Sequence, residues 1–460
     1  MSVAALTHPA NGFLGVSVQS NTQADPSADR TAQTSVGDAT ACAAEGSALV
    51  HRRQSFPRGS KAESDQWRRV RFERRSMSSR WLISDAIDAS SIEEVRPGVF
   101  VDTETGELHQ SNWVRPPRPA RCSWRIGPHV GIHSNGKMAH FSGTERCSSI
   151  WACPVCSAVI RAERAREITR AVEAHHATGG SILFVTLTIR HKKADSLKQG
   201  IDAVLGSWKK LLQGRAWVGG RNKPGMRQRY GVEGYIRSTE VTYGVNGWHP
   251  HIHALVFTNR SLDDLEITAF GDEIHDRWAR FVKQATGLEP TRQHGIDVQR
   301  VDTKGKILGK YLSKMQDQGE SKTEKWDASA ELARADVKVG QKDHYVPFEL
   351  LDKEHRLPAA QRRRLWAEYV KYTRGRRAIT WSRGLKQRYN VEEKTDDDII
   401  DDTESAPIMW VAYGKEYDRI RKTTPEVLAQ VLEAAERDDW QKVAEILPGE
   451  LPPDPPPDDP

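Results

Sequence analysis

The chain has 460 residues, with 68 Lys and Arg against 62 Asp and Glu, a net charge of +6 and five cysteines. That length holds two or three domains with ample core, and so few cysteines exclude a disulfide framework. No apolar run reaches the roughly eighteen residues of a membrane span, mean hydropathy is negative, and the start lacks a basic segment followed by an apolar one, so a cytoplasmic protein with no membrane partner is expected.

Residues 1–65 are rich in Ala, Ser, Thr, Gln and Gly and nearly free of aromatic residues. Such a composition cannot offset its ordering entropy, and disorder is expected. Residues 66–120 read as an extension with apolar clusters and a hairpin around Glu104 and Thr105. Residues 121–180 carry Cys122, Cys147, Cys153 and Cys156, the last two in the CxxC spacing that lets two thiolates reach one ion. A lone CxxC could equally be a redox pair; the third nearby cysteine and His129, His133 and His140 favour structural zinc, with any of those histidines able to replace Cys122 as fourth ligand. A basic, alanine-rich helix over 157–176 follows, ended by Gly179 and Gly180.

The next elements read as a strand over 181–189, a helix over 195–212, strands over 234–243 and 250–258, a helix over 262–285 and a strand over 295–301. This βαββαβ order resembles the ferredoxin-like split βαβ arrangement. The predicted class is therefore α+β: an antiparallel sheet with helices on one face, the first and third strands at its centre, an N-terminal zinc module and disordered tails.

Residues Trp248 to Phe257 read WHPHIHALVF. On a strand, His251 and His253 share one face while Ile252, Ala254 and Val256 face the core. Phe184, Thr186 and Thr188 should lie beside the histidines in the central pairing, and the open face would carry the chemistry. Counting outward from a turn at Gly244 to Gly247 sets Glu240 opposite His251, close enough to complete a His, His, carboxylate site for a divalent metal. His249 shares that face by parity but precedes Pro250 and reads as a turn residue.

Further on, GKYLSKMQ places Tyr311 and Lys314 three apart on a helix whose apolar stripe is Leu308, Leu312 and Met315. A phenol of pKa about 10 needs an ammonium or a metal to act as a nucleophile at neutral pH. Residues 321–390 form a basic extension in which Arg362, Arg363, Arg364, Arg374, Arg376 and Arg377 are interleaved with Trp366, Tyr369, Tyr372 and Trp381, a pattern suited to phosphates and unstacked bases. Residues 391–423 read as an acidic linker, 424–447 as a helical pair capped by Thr424 with Pro425 in its first turn, and 448–460 as an extended Pro and Asp tail.

The ordered series FVTLTIR, STEVTYGVNGWHPHIHALVF and GKYLSK resembles motifs one, two and three of the HUH endonucleases. With CSSIWACPVCSAVIRAERAREI, ELARADVK, VPFELL and TRGRRAITWSRGLK, the chain resembles the rolling-circle replication initiators of actinobacterial plasmids over roughly 121–388. The resemblance implies a nicking domain at 181–320 that cleaves and rejoins single-stranded DNA at a specific site. Tyr311 would form a 5′-phosphotyrosine and leave a 3′ hydroxyl to prime a polymerase, Lys314 would steady the charge, and Mn2+ or Mg2+ would sit at His251, His253 and Glu240. Single-stranded and origin DNA and a host helicase and polymerase are the implied partners. Some branches of that family carry a glutamate four residues before the tyrosine, where this chain has Ile307. Two other readings share some of these features: a single-tyrosine transposase of the same superfamily, and a non-catalytic zinc DNA-binding regulator.

Overall fold

The computed structural model describes residues 61–88, 92–96, 99–102, 108–110, 116–301, 344–401 and 406–452. Helix α1, Lys61–Asp88, starts inside the stretch expected to be disordered; the remainder of that stretch lies outside the described residues. Its buried side chains include Asp65, Arg74, Arg75, Ser76 and Ser78 beside Phe72 and Leu82, so no apolar stripe marks it in sequence. Charge pairing holds it instead. Arg68 lies 2.7 Å from Glu436 and Arg437 2.7 Å from Asp65, Lys61 pairs with Glu436 and Arg69 with Glu433. Strands β1 (Ile92–Arg96), β2 (Val99–Asp102) and β3 (Leu108–Gln110) form a small antiparallel sheet, with Val101 opposite Leu108 across the predicted hairpin.

Strands β4 (His129–Ser134) and β5 (Ala139–Ser142) make a second hairpin. Helix α2, Pro154–Ala177, begins a turn earlier than the sequence indicated, because Cys153 caps it by accepting from the Cys156 amide and Pro154 occupies the first position.

The main sheet is built from β6 (Ser181–Leu187), β7 (Val232–Gly244), β8 (Gly247–Thr258) and β9 (Ile296–Val301), with helices α3 (Leu197–Leu211) and α4 (Asp264–Thr286) between them. Capping boxes at Ser196 with Gln199 and at Asp263 with Glu266 fix where the two helices start. The strands lie in the order β7-β8-β6-β9, all antiparallel, with β8 and β6 central. On one face Leu183, Val185, Leu187, Ile252, Ala254 and Val256 pack against Val204 and Trp208 of α3 and Phe270, Ile274 and Trp278 of α4. On the other, Ile182, Phe184, Leu255 and Phe257 pack against Ile168 and Ala171 of α2 together with Leu385 and Val391. Helices therefore cover both faces rather than one, because α2, read in sequence as part of the zinc module, lies across the sheet.

Strand β10 (His344–Tyr345) and, after helix α5 (Ala359–Thr373), strand β11 (Ile379–Trp381) pair with the outer edge of β7. The segment read as an acidic linker is structured. It contains helix α6 (Asp396–Asp401), strand β12 (Ile408–Tyr413) and helix α7 (Gly414–Thr423). Its acids are neutralised by arginines, Asp396 by Arg164 at 2.9 Å and Asp397 by Arg118 at 3.0 Å, and the apolar run IMWVAY pairs with β4, Tyr413 opposite His129 and Trp410 opposite Ile132. Helices α8 (Pro425–Ala435) and α9 (Trp440–Ile446) are the expected helical pair, and β13 (Gly449–Glu450) closes a sheet of order β13-β12-β4-β5. Val130, Ile132, Phe141, Tyr417, Leu428 and Val443 form its core. The architecture is thus mixed α+β with antiparallel sheets. No described helix is long and apolar enough to cross a membrane.

Candidate functional site

The β7–β8 hairpin turns through Val245 and Asn246, with Gly244 opposite Gly247. Gly247 has φ of +85°, and a Cβ there would lie 3.1 Å from the Lys193 backbone, so both conformation and space require glycine. From this turn the register carries Glu240 opposite His251 and Ser238 opposite His253, while β6 sets Thr186 opposite His253. Glu240 Oε2 lies 3.5 Å from His251 Nε2 and 3.3 Å from His253 Nε2. All three residues are at most 8 % exposed, so the face expected to be open is closed over the site.

The outer nitrogens are set by neighbours. His251 Nδ1 donates to the His249 carbonyl at 3.2 Å, since a carbonyl can only accept, and in the neutral ring this makes Nε2 the nitrogen with the lone pair. His253 Nδ1 lies 3.1 Å from Thr186 Oγ1, and the Phe184 ring stacks on its imidazole at 5.3 Å. Thr188, expected on the same face, bonds the His294 carbonyl instead. Two nitrogens and a carboxylate oxygen at these separations match adjacent ligands of a divalent ion, which at bond lengths of about 2.1 Å stand about 3.0–3.4 Å apart. Glu240, His251 and His253 form a group that could hold such an ion.

His249, read as a turn residue, lies within β8. Its ring meets His251 edge-on at 5.2 Å, and its Nδ1 is 3.2 Å from His191 Nε2. Burial, with the neighbouring imidazoles, pushes the His249 pKa down to about 3. His191 was not anticipated: it follows β6 in a loop, where strand parity gives no prediction, and Nδ1 reaches the turn through the Asn246 carbonyl at 2.9 Å.

The second group is sulfur. Cys122 Sγ lies 3.6 Å from both Cys153 and Cys156, and Cys147 Sγ lies 3.8 Å from Cys156. A tetrahedral zinc site with Zn–S bonds of about 2.3 Å has edges of about 3.8 Å. All four cysteines are buried. Hydrogen bonds from the other three thiols, with the Arg75 charge nearby, hold the Cys122 thiol well below its usual range, whereas sharing protons with Cys122 and burial push Cys147 and Cys153 up. Cys122 thus completes the set, and the alternative histidines lie elsewhere. His133 bonds the Ala406 carbonyl and Ser142 Oγ and stacks on His140 at 4.6 Å, and His129 is exposed on β4. Four buried thiols in this arrangement fit a closed structural zinc site.

Tyr311, Lys314 and the ELARADVK segment lie outside the described residues. Among the arginines proposed for DNA, Arg362 is buried and donates to the Leu350 and Asp352 carbonyls, and Arg376 is bound to Asp202 at 2.6 Å. Arg364, Arg374 and Arg377 are exposed and Arg363 partly so. Of the interleaved aromatics, Trp366 and Tyr369 are buried in the core, because their spacing along α5 is its inward stripe, whereas Tyr372 and Trp381 are partly exposed.

A family model described as replication protein matches residues 139–419. The chain belongs to the replication protein family. A Rep protein from Streptomyces lividans is 35 % identical over 302 residues, 54 % of this chain and 65 % of that protein. A neomycin resistance protein from Streptomyces cyanogenus is 38 % identical over 168 residues, covering 30 % of this chain and 38 % of its own length. A Rep protein from a Bacillus species is 27 % identical over 139 residues, 29 % of this chain and 39 % of that protein. The chain thus spans less than two thirds of the length of each of these relatives, and no solved structure matches. In this replication protein the matched span includes Glu240, His251, His253 and three of the four clustered cysteines, and begins after Cys122.

Proposed function

We propose that this replication protein initiates rolling-circle replication of an actinobacterial plasmid by nicking one strand of its origin. The observation that carries the reading is the buried cluster of Glu240 on β7 with His251 and His253 on the neighbouring central strand β8 of the antiparallel sheet. The order β7-β8-β6-β9 supports reading the sheet as a ferredoxin-like HUH core, flanked in this reading by a zinc module over 121–180 and a basic extension over 321–390. A divalent ion, Mn2+ or Mg2+, held by these three side chains would draw charge from a non-bridging oxygen of the scissile phosphate. In this reading Thr186 Oγ1 accepts from His253 Nδ1, as the His249 carbonyl accepts from His251 Nδ1, so both Nε2 lone pairs face that position. Tyr311 attacks phosphorus, a bond from its oxygen to phosphorus forms, and the bond to the 3′ oxygen breaks. The departing oxygen takes up a proton and becomes the primer hydroxyl, while the 5′ phosphate stays on the tyrosine. Lys314 stabilises the phenolate as a compact point charge. Rejoining reverses these bonds. A host helicase and polymerase then act on the opened strand, in the cytoplasm.

The experiment incubates the protein with labelled single-stranded DNA from its own replicon, with and without Mn2+, beside Tyr311→Phe. A covalent adduct that needs metal and disappears in the variant is expected. No adduct, or one that survives the substitution, removes Tyr311 as nucleophile.

A further inference from the structure

The stretches that look most basic in sequence spend much of their charge in ion pairs with carboxylates of the same chain. Arg68 and Arg69 pair with Glu436 and Glu433, Arg74 with Asp352, Lys386 with Glu167 and Arg388 with Glu233. The connection between α3 and β7 behaves in the opposite way. From 209 to 229 the chain carries seven lysines and arginines and no carboxylate. Arg229 is paired with Glu273 at 2.5 Å; the other six make no ion pair with a carboxylate among the described residues.

This connection runs through residues 212–231 and is built around two short helical turns, Arg215–Val218 and Met226–Arg229. It is ordered. Trp217, Met226 and Tyr230 are buried in the core beneath α3 and α4. Gln228 Nε2 donates to the Val218 carbonyl at 2.6 Å and its Oε1 accepts from the Gly225 amide at 2.9 Å. Gly225 passes so close to Gly219 that a Cβ on it would lie 2.3 Å from the Gly219 nitrogen. The aromatic residues of the loop thus face inward, while Arg215, Arg221 and Lys223 are exposed, and the Gly220 and Lys223 backbones bridge to fold the tip. Lys210, Arg277 and Arg280 extend the cationic surface around the Phe281 ring.

A surface of unneutralised cations whose loop aromatics turn inward, and whose half-buried Phe281 ring is covered by cations, complements a polyanion and leaves little stacking platform for unpaired bases. It also lies away from the metal group. The eight steps along β7 from Val232 to Glu240 span about 27 Å at roughly 3.4 Å each. We propose that the 209–229 surface binds the phosphate backbone of duplex DNA flanking the nicking site, an inference that rests on the function proposed above. Single-stranded DNA would need exposed aromatic residues here, whereas duplex offers twice the charge per unit length.

The test titrates the full chain with a short DNA duplex of arbitrary sequence while salt is raised from about 50 to 200 mM. Arg215→Ala/Arg221→Ala/Lys223→Ala removes three exposed cations, and thermal melting checks that the fold is kept. With one phosphate per cation, the slope of log affinity against log salt becomes shallower by about 2.7, so the wild type loses about 40-fold more affinity over this range than the variant does. Arg215→Lys/Arg221→Lys, which keeps the charge, should keep the slope. An unchanged slope in the alanine variant, with wild type binding duplex steeply and forming its tyrosine adduct, overturns this inference alone. A change on a single-stranded oligonucleotide with none on duplex overturns the assignment to duplex. A wild type that neither binds DNA nor forms an adduct overturns the nicking reading as well.

Discussion

Thr186→Val separates a residue that positions a ligand from one that merely fills a strand. Valine keeps the branched shape that the strand accommodates and removes only the hydroxyl 3.1 Å from His253 Nδ1. With Thr186 Oγ1 as the acceptor of the Nδ1 proton, its loss lets the imidazole place that proton on Nε2 and donate to Glu240 Oε2, 3.3 Å away. Metal binding must then break this contact and move the proton. Loss of a partner behind a ligating histidine commonly costs 10–100-fold in metal affinity, or about 1.4–2.7 kcal/mol. The assay follows free Mn2+ by its paramagnetic resonance during titration, and in parallel the Mn2+ concentration giving half-maximal adduct. Both should move upward together in Thr186→Val and return in Thr186→Ser, with thermal stability little changed. Wild-type Mn2+ affinity in the valine variant would show that Thr186 does not set the histidine.

Two further substitutions probe the frame around the metal groups. Cys122→Ser should reduce zinc from one equivalent per chain to a small fraction and destabilise the protein by about 3 kcal/mol or more, since a buried polar cluster loses its centre; metal analysis and thermal melting read both, and full zinc content in the variant would exclude Cys122 as a ligand. Gly200→Ala tests the seating of α3 on the histidine strand, because a Cβ there would lie 2.8 Å from Pro250 Cγ. Overpacking of about 1–3 kcal/mol is expected, with slower adduct formation as His251 shifts; unchanged melting and rate would mean the helix gives way freely.

What was legible in the sequence depended on how local the determining physics is. The two-residue turn between Gly244 and Gly247 fixes the register, so counting from it places Glu240 opposite His251 as observed. The four cysteines were legible as a set because metal chemistry restricts their spacing. Cys122 was distinguished from the histidines only by the fold, which commits His133 to β4, Ser142 and Ala406. Helix α1 was missed because it is seated through arginines, buried at Arg74 and more exposed at Arg68 and Arg69, whose partners Asp352, Glu436 and Glu433 lie hundreds of residues away. Strand β12 was hidden behind an acidic run, and its identity depends on β4. The basic and aromatic pattern of α5 misled for a related reason: composition gives a count of cations and rings, and only the fold tells which of them reach solvent.

The pairing of β12 with β4 has a consequence for the order of events during synthesis. Val130 and Ile132 emerge from the ribosome nearly three hundred residues before Ala412 and Trp410, their neighbours in the sheet. Until then β4 has β5 on one side and an unsatisfied ladder on the other, a template for pairing with another nascent chain. The sheet beside the clustered cysteines is therefore completed only after β12 has been synthesised. A chain cut short before β12 would keep every residue of the metal groups and still present an open, sticky edge.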